Sequence, residues 1–310
     1  MTSTPVLPDS HWQVIGKSIR GSSHVRAGLP NQDAIGWKPE LGAGSKLILA
    51  LSDGHGSSKS FRSHQGAAFA VQACLEECQG LLEWSQETPS LSAIKRTATE
   101  HLPQRITRRW KQLVDEHLRN NPASPEELEK AIKGAAVPIT VESLKNNTFV
   151  WYGATLLGTV VTDSFIIYLQ IGDGEILSVS EEGEVRRPIP PDERLLGNDT
   201  TSLCSAKPWL DFRIVFQALT TAPPSLVLLS TDGYINSFTD TGEFMKVGPD
   251  FLNLINAHGL EAVDGKLEDW LTEASQKGSG DDITLGIISR IMIHQKQGTG
   301  PDVAPPTDLP

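Results

Sequence analysis

The stretch "LILALSDGHGSSKS", residues 47–60, decides how the chain is read. An apolar run ends in Asp53, and Gly54, His55 and Gly56 follow at once. A run of this length suits a buried strand and is too short for a helix. A tight turn would account for the Asp and the Gly, since both are frequent turn residues. It would not account for the imidazole. Nor would it account for the return of the device in "SLVLLSTDGYINSF", residues 225–238, where an apolar run again ends in Asp-Gly, at Asp232 and Gly233.

Working outward, four more aspartates stand at three further expected strand ends. Asp33 opens one in "NQDAIGW", Asp173 follows one in "LQIGDGEIL", and Asp281 and Asp282 precede one in "QKGSGDDITLGII". Strand ends of this kind can converge at one edge of packed sheets. There they would form an all-oxygen site of the kind that suits Mg²⁺ or Mn²⁺. Two such ions can turn a shared water into a nucleophile, which suits attack on a phosphate ester. Each Asp-Gly taken alone can equally be a hairpin turn, and for Asp173 both readings stand. For Asp53 and Asp232 the metal reading is stronger, because an unpaired carboxylate beside so apolar a strand is costly.

The rest of the chain supplies the frame. Strands are expected at 11–19, 33–39, 46–52, 149–161, 165–171, 175–180, 212–219, 225–230 and 283–291. The segment "GSSHVRAGLPNQ" (21–32) reads as a loop. Apolar residues at spacings of three and four predict a helix from Ala67 to Leu82. They predict a second from Leu91 to Val114, kinked or broken at Pro103. Ser124 ahead of Pro125 and Glu127 is a good N-cap inside a polar insertion at about 119–147. Short strands joined by tight polar turns after residue 149 suggest an antiparallel meander. Residues 186–211 read as a long irregular loop, and a helical stretch is expected around 250–277. Antiparallel strands with segregated helices define an α+β chain.

Composition excludes several classes of function. With 27 basic and 38 acidic residues the 310-residue chain carries a net charge of −11. That argues against nucleic acid and against an anionic membrane surface. No apolar run approaches the roughly 20 residues of a membrane span. Three cysteines (Cys74, Cys78 and Cys204) read as small buried hydrophobes and fit a reducing compartment, the cytoplasm. One domain over 1–292 is expected, followed by a Pro- and Gly-rich disordered tail over 293–310.

The motifs "NQDA", "ALSDGHGS", "YGATLLGTVV", "LQIGDGE", "LLSTDGY" and "GSGDDITLGII" resemble, in order, those of the metal-dependent serine/threonine protein phosphatases of type 2C, the PPM family. The likeness spans about 12–292 and points to a divergent bacterial branch. It implies two stacked antiparallel β-sheets flanked by helices, with a dinuclear Mg²⁺ or Mn²⁺ centre and a phosphorylated protein as substrate. Position by position, it implies that Asp53 bridges both metals and that Gly54 offers its carbonyl to one. It makes Asp232 and Asp281 ligands of the first metal, has Asp33 hold metal-bound water, and joins Asp173 to a weaker third metal. Asp282 would support the ligands from behind. His55 stands where the family has a candidate general acid; the other reading is that it only orders metal-bound water.

The departures are specific. Gln32 replaces the usual Glu, and Asn236 stands where an Asp is frequent. The phosphate-holding Arg position is Gly28, so that either Arg26 reaches the phosphate from a longer loop or it is a solvated loop arginine. Three functions follow: an active phosphoprotein phosphatase, a non-catalytic binding or regulatory module that keeps the fold, or a hydrolase of another phosphoester. A monomer is the simplest assembly.

Overall fold

The structure is a computed structural model that describes residues 10–87, 90–192, 194 and 200–292. The expected tail at 293–310 lies outside the described residues. In chain order the first half runs β1 (Ser10–Ile19), α1 (Ser22–Ala27), β2 (Ala34–Lys38), β3 (Ala43–Gly44), β4 (Leu47–Ser52), α2 (Ser63–Glu87), α3 (Leu91–Arg96) and α4 (Leu102–Asn120). Then come α5 (Pro125–Lys133), α6 (Val141–Lys145), β5 (Leu156–Val161), β6 (Phe165–Ile171), β7 (Glu175–Val179) and β8 (Val185–Arg186). The chain continues through β9 (Arg213–Ala218), β10 (Leu226–Ser230), α7 (Asp232–Ile235), α8 (Thr241–His258), α9 (Leu260–Lys277) and β11 (Ile283–Met292).

Two antiparallel sheets stack face to face, in the orders β3-β1-β11-β10-β7-β8 and β2-β4-β5-β6-β9. Every residue of β4, β5 and β6 is buried. These strands are covered on both faces, which is why their sequences are apolar without alternation. Trp12, Leu49, Leu157, Tyr168, Leu229 and Ile288 fill the space between the sheets. On the outer face of the second sheet lie α2 and α4, through Ala70, Cys74, Ile106 and Trp110. The outer face of the first sheet carries α8 and α9, through Phe244, Phe251, Leu267 and Leu271. The α+β architecture of two antiparallel sheets flanked by helices is therefore the one the sequence predicts.

Several local expectations change. Residues 21–32 are not all loop, because Ser22–Ala27 form α1, closed by Gly28 at φ 69°. The strand expected over 149–161 begins only at Leu156; Thr148–Tyr152 form a 3₁₀ turn. Its aromatic residues are apolar for packing rather than pleating: Trp151 Nε1 donates to the Leu144 carbonyl at 3.0 Å, and Phe61 lies 5.1 Å from the Trp151 ring. The helix expected around 250–277 is two helices that begin at Thr241, capped by Asp240 and separated at Gly259. Residues 175–179 do not continue a meander from β6, because β6 and β7 lie in different sheets.

The second helical pattern divides as Pro103 requires. Thr97–His101 form a wider π-type turn, and Pro103 falls in the first turn of α4, where no N–H is needed. The insertion carries the expected helix: Ser124 Oγ accepts from Glu127 N while Glu127 Oε2 accepts from Ser124 N. Arg62, buried at 7 % exposure, anchors it. Its guanidinium donates to both Glu127 oxygens at 2.9 Å, to the Asn121 carbonyl at 2.7 Å and to Tyr152 Oη at 2.9 Å. Cys74 and Cys78 are free and buried with sulfurs 3.9 Å apart, as small hydrophobes would be. Among the described residues no helix is long and apolar enough to cross a membrane.

Candidate metal centre and active site

Strand register alone gathers the aspartates. Ala34 pairs with Ser52, so Asp33 and Asp53 sit side by side at one end of the second sheet. Leu156 pairs with Ile171, which brings Asp173 to the same end. In the first sheet Ser230 pairs with Leu285, so Asp232 at the end of β10 meets Asp281 and Asp282 at the start of β11. Asp33 joins the two sheets: its Oδ2 accepts from Thr231 Oγ1 at 2.8 Å and from Thr284 Oγ1 at 2.7 Å.

Backbone constraints fix each carboxylate. Asp53 N donates to Thr155 Oγ1 at 3.1 Å, and the Asp53 carbonyl accepts from Thr155 N at 2.8 Å. Gly54 continues the pairing opposite Ala154 and donates to the Gln32 carbonyl at 3.1 Å. A Cβ at Gly54 would lie 2.6 Å from that carbonyl oxygen and 2.8 Å from the Ser63 carbonyl, so only glycine fits. Asp173 is carried by Gly172-Asp173-Gly174, the segment that passes from the second sheet to the first. Gly172 has φ 110°, and a Cβ at Gly174 would meet the Ser230 carbonyl at 2.7 Å. A sheet-to-sheet crossing thus replaces the hairpin turn that was one reading of this motif.

The electrostatics are those of crowded like charges. Burial, with the charges of Asp282 and Asp232 added, pushes the Asp33 carboxyl up to about 8 against two opposing threonine hydrogen bonds. Asp53 is driven well above the usual carboxylate range by burial and then by the Asp33, Asp232 and Asp173 charges. Burial also raises Asp232, and Asp173 and Asp281 add to it; a hydrogen bond links its carboxyl to that of Asp53. Acids held this way without a cation retain protons that a divalent ion would displace. The donor set is entirely oxygen, and the Gly54 cradle leaves no room for a side chain. The residues therefore fit a hard divalent cation.

His55 lies at the rim. Its backbone N–H donates to the Gly153 carbonyl at 3.0 Å, and its Nε2 is buried without a partner. Burial lowers its pKa, and the Asp173 charge opposes that. The site of a Gly153 Cβ would lie 3.3 Å from both His55 Cδ2 and Cys204 Sγ, so a side chain at 153 would crowd the histidine.

Asp282 faces away from this rim. Its Oδ1 accepts from Gly21 N at 2.6 Å, and its Oδ2 from Gln32 N at 2.6 Å and His24 Nδ1 at 2.8 Å. His24 Nε2 lies 3.8 Å from Asp281 Oδ1. Among the described residues, His24, Asp281 and Asp282 are the group whose ligand atoms all fall within 4.8 Å of one another. Both Asp282 oxygens are already occupied by donors, which makes this group a brace for Asp281. Gln32 Nε2 donates to Ser63 Oγ at 2.9 Å, and Asn236 Nδ2 donates to Asp232 Oδ2 at 3.1 Å. Arg26 is exposed on α1, and its guanidinium donates to Ser22 Oγ at 3.4 Å. The hydroxyls of Thr155, Thr231 and Thr284 and the ring of His24 were not among the residues singled out from sequence. The three threonines do lie inside three of the quoted motifs.

The sequence profile of protein phosphatase 2C matches residues 20–272, and the chain belongs to that family. It is a protein serine/threonine phosphatase. No curated protein sequence matches the chain. Solved structures share the fold at low identity. A bacterial serine phosphatase superposes with a TM-score of 0.55 at 14 % identity, over 91 % of this chain and 99 % of that one. The serine/threonine phosphatase Stp1 of Staphylococcus aureus gives 0.52 at 13 % identity, over 93 % and 97 %. The catalytic domain of the serine threonine protein phosphatase PstP, solved in complex with two manganese ions, gives 0.51 at 16 % identity, over 91 % and 99 %.

Proposed function

We propose that the chain removes phosphate from phosphoserine and phosphothreonine in proteins, using two divalent ions, Mg²⁺ or Mn²⁺. The observation that carries this reading is the register-driven meeting of Asp33, Asp53, Asp232 and Asp281 from both sheets, with three of the four carboxyls raised. The two manganese ions in the PstP structure support the count. Asp53, the Gly54 carbonyl, Asp232 and Asp281 would hold the pair, and Asp173 would serve a weaker third. When bound, such ions supply Lewis acidity that lowers the pKa of water and offsets phosphate charge.

The remaining roles belong to the chain itself. Asp33, held by Thr231 and Thr284, orients the attacking water. His55 protonates the departing serine or threonine oxygen, a contribution of about 10²–10⁴ in rate. Burial keeps its imidazole neutral in the resting protein, and the substrate dianion would raise its proton affinity on arrival. Asp282, Gln32 and Asn236 hold the ligands in place, and Arg26 is the candidate phosphate clamp. The unit responsible is residues 1–292, acting as a monomer in the cytoplasm, where three free thiols would persist.

The second reading is a regulatory module that binds metal without turnover. Gln32 in place of Glu, and Arg26 bonded to Ser22, favour it. One experiment separates the two. Mn²⁺-dependent hydrolysis of p-nitrophenyl phosphate and of a phosphothreonine peptide is measured for the native chain and for Asp53→Ala, with metal counted in both. Activity lost in the variant is expected. Metal bound without turnover in the native chain would select the regulatory module, and neither metal nor turnover would remove both.

A further inference from the structure

Arg290 lies on β11 seven residues beyond Ile283, on the order of 20 Å along the strand from the aspartates. Its side chain is 6 % exposed. Among the described residues its guanidinium makes no hydrogen bond. Nε is buried without a partner, and the nearest acid, Glu181, stands at 3.8 Å with its own side chain 69 % exposed. A buried guanidinium normally has its five donors satisfied. Here Nε is buried without a partner, and the terminal nitrogens have only a loose pair with the exposed Glu181 carboxylate, so hydrogen-bonding capacity is left open.

The cavity beside it gives the anomaly a use. Arg290 lines a space of about 450 Å³ between the end of the first sheet and the α8–α9 junction. Leu252, Ile255 and Leu260 form its apolar wall, Gln13, Ser225 and Asn256 supply polar groups, and Glu181 lines it from its exposed side. That volume and mixture suit a small organic ligand. Glu181 approaches the guanidinium only to 3.8 Å from an exposed position, and a carboxylate or phosphate oxyanion can displace it and accept two parallel hydrogen bonds.

We propose that this cavity is a binding site for a small organic oxyanion with an apolar body, anchored on Arg290 and separate from the metal centre. The anion takes the place of the absent acceptors, and the leucine and isoleucine wall takes the body. An acidic protein repels anions in general, so saturable anion binding at this position requires the local guanidinium.

The test uses chelated full-length protein, so that metal-held phosphate contributes nothing. Benzoate and inorganic phosphate are titrated separately by calorimetry and by thermal shift. Saturable benzoate binding is expected, weakened at least about 30-fold in Arg290→Gln. Asn256→Leu, an exposed position that narrows the cavity, is the second variant should Arg290→Gln fail to fold, and it also weakens binding. Phosphate binding as tightly as benzoate would remove the apolar body from the proposal. No saturable binding of either anion, or binding that neither variant weakens, would overturn the site.

Discussion

Replacing Asp33 by Asn should stabilise the metal-free protein while destroying its metal-dependent activity. In the fold the Asp33 carboxyl is raised from 3.8 to about 8. A raised acid binds its proton more tightly folded than unfolded, so its contribution is fully present below the unfolded value and lost as pH rises through about 8. At pH 8 the unfolded chain has ionised this group completely, and the folded chain only half. The resulting penalty relative to a neutral isostere is on the order of 5 kcal/mol at pH 8 and about 2 kcal/mol at pH 5. Asp33 is only half-buried, so solvent screening trims these values to roughly 2–4 kcal/mol at pH 8 and about 1 kcal/mol at pH 5. The carboxamide oxygen can still accept from Thr231 and Thr284, so little else is lost. The assay is urea or thermal unfolding of chelated native and Asp33→Asn protein at both pH values. The variant should gain about 2–4 °C per kcal/mol, with most of the gain at pH 8. Added Mn²⁺ should stabilise the native chain more than the variant. A variant destabilised equally at both pH values would refute the account of Asp33 as a strained, proton-holding acid.

His55→Ala should reduce turnover of a phosphothreonine peptide by about 10²–10⁴ and of p-nitrophenyl phosphate far less, because nitrophenolate departs without a proton; equal losses on the two substrates would remove the acid role. Asp282→Asn leaves a single acceptor oxygen for three donors, Gly21 N, Gln32 N and His24 Nδ1, and should cost about 3–5 kcal/mol in unfolding experiments. Glu127→Gln weakens the bidentate bond to Arg62 and should raise amide exchange at His55 and Arg62, whose N–H groups bond the Gly153 and Trp151 carbonyls, more than in β4 or β5. Uniform exchange changes across the chain would make Arg62–Glu127 a global rather than a local tie.

The strands were legible because burial on both faces leaves an uninterrupted apolar run, and the aspartates because each closes or opens such a run. What sequence could not reveal is where neighbours in space are distant in the chain. The Gly172-Asp173-Gly174 segment has the composition of a hairpin, and only the packing of Gly174 against the Ser230 carbonyl makes it a crossing between sheets. Phe149–Tyr152 have strand-like composition, but tertiary contacts with Leu144 and Phe61 override that propensity. The start of α8 is hidden by Gly242, Gly248 and Pro249, which are poor helix formers. The threonine hydroxyls that hold Asp33 carry no periodic signal at all. The role of the insertion is likewise invisible until Arg62, next to α2, is found bonded to Glu127 65 residues away.

The departure at Gln32 is explained by its neighbour Asp282. Gln32 N donates to Asp282 Oδ2 at 2.6 Å, so the chain has a neutral residue at 32 and a carboxylate one hydrogen bond away at 282. A glutamate side chain placed like that of Gln32 would bury a charge beside Ser63, where the amide now donates at 2.9 Å. The carboxylate at 282 is instead satisfied by two backbone N–H groups and an imidazole, and it is only 4 % exposed. Negative charge near the centre is thus carried behind Asp281, where His24 lies between the two acids. On this account Gln32→Glu alone should destabilise the apo fold. Gln32→Glu combined with Asp282→Asn should cost less than the sum of the two single losses, because the added charge would no longer face a second buried carboxylate.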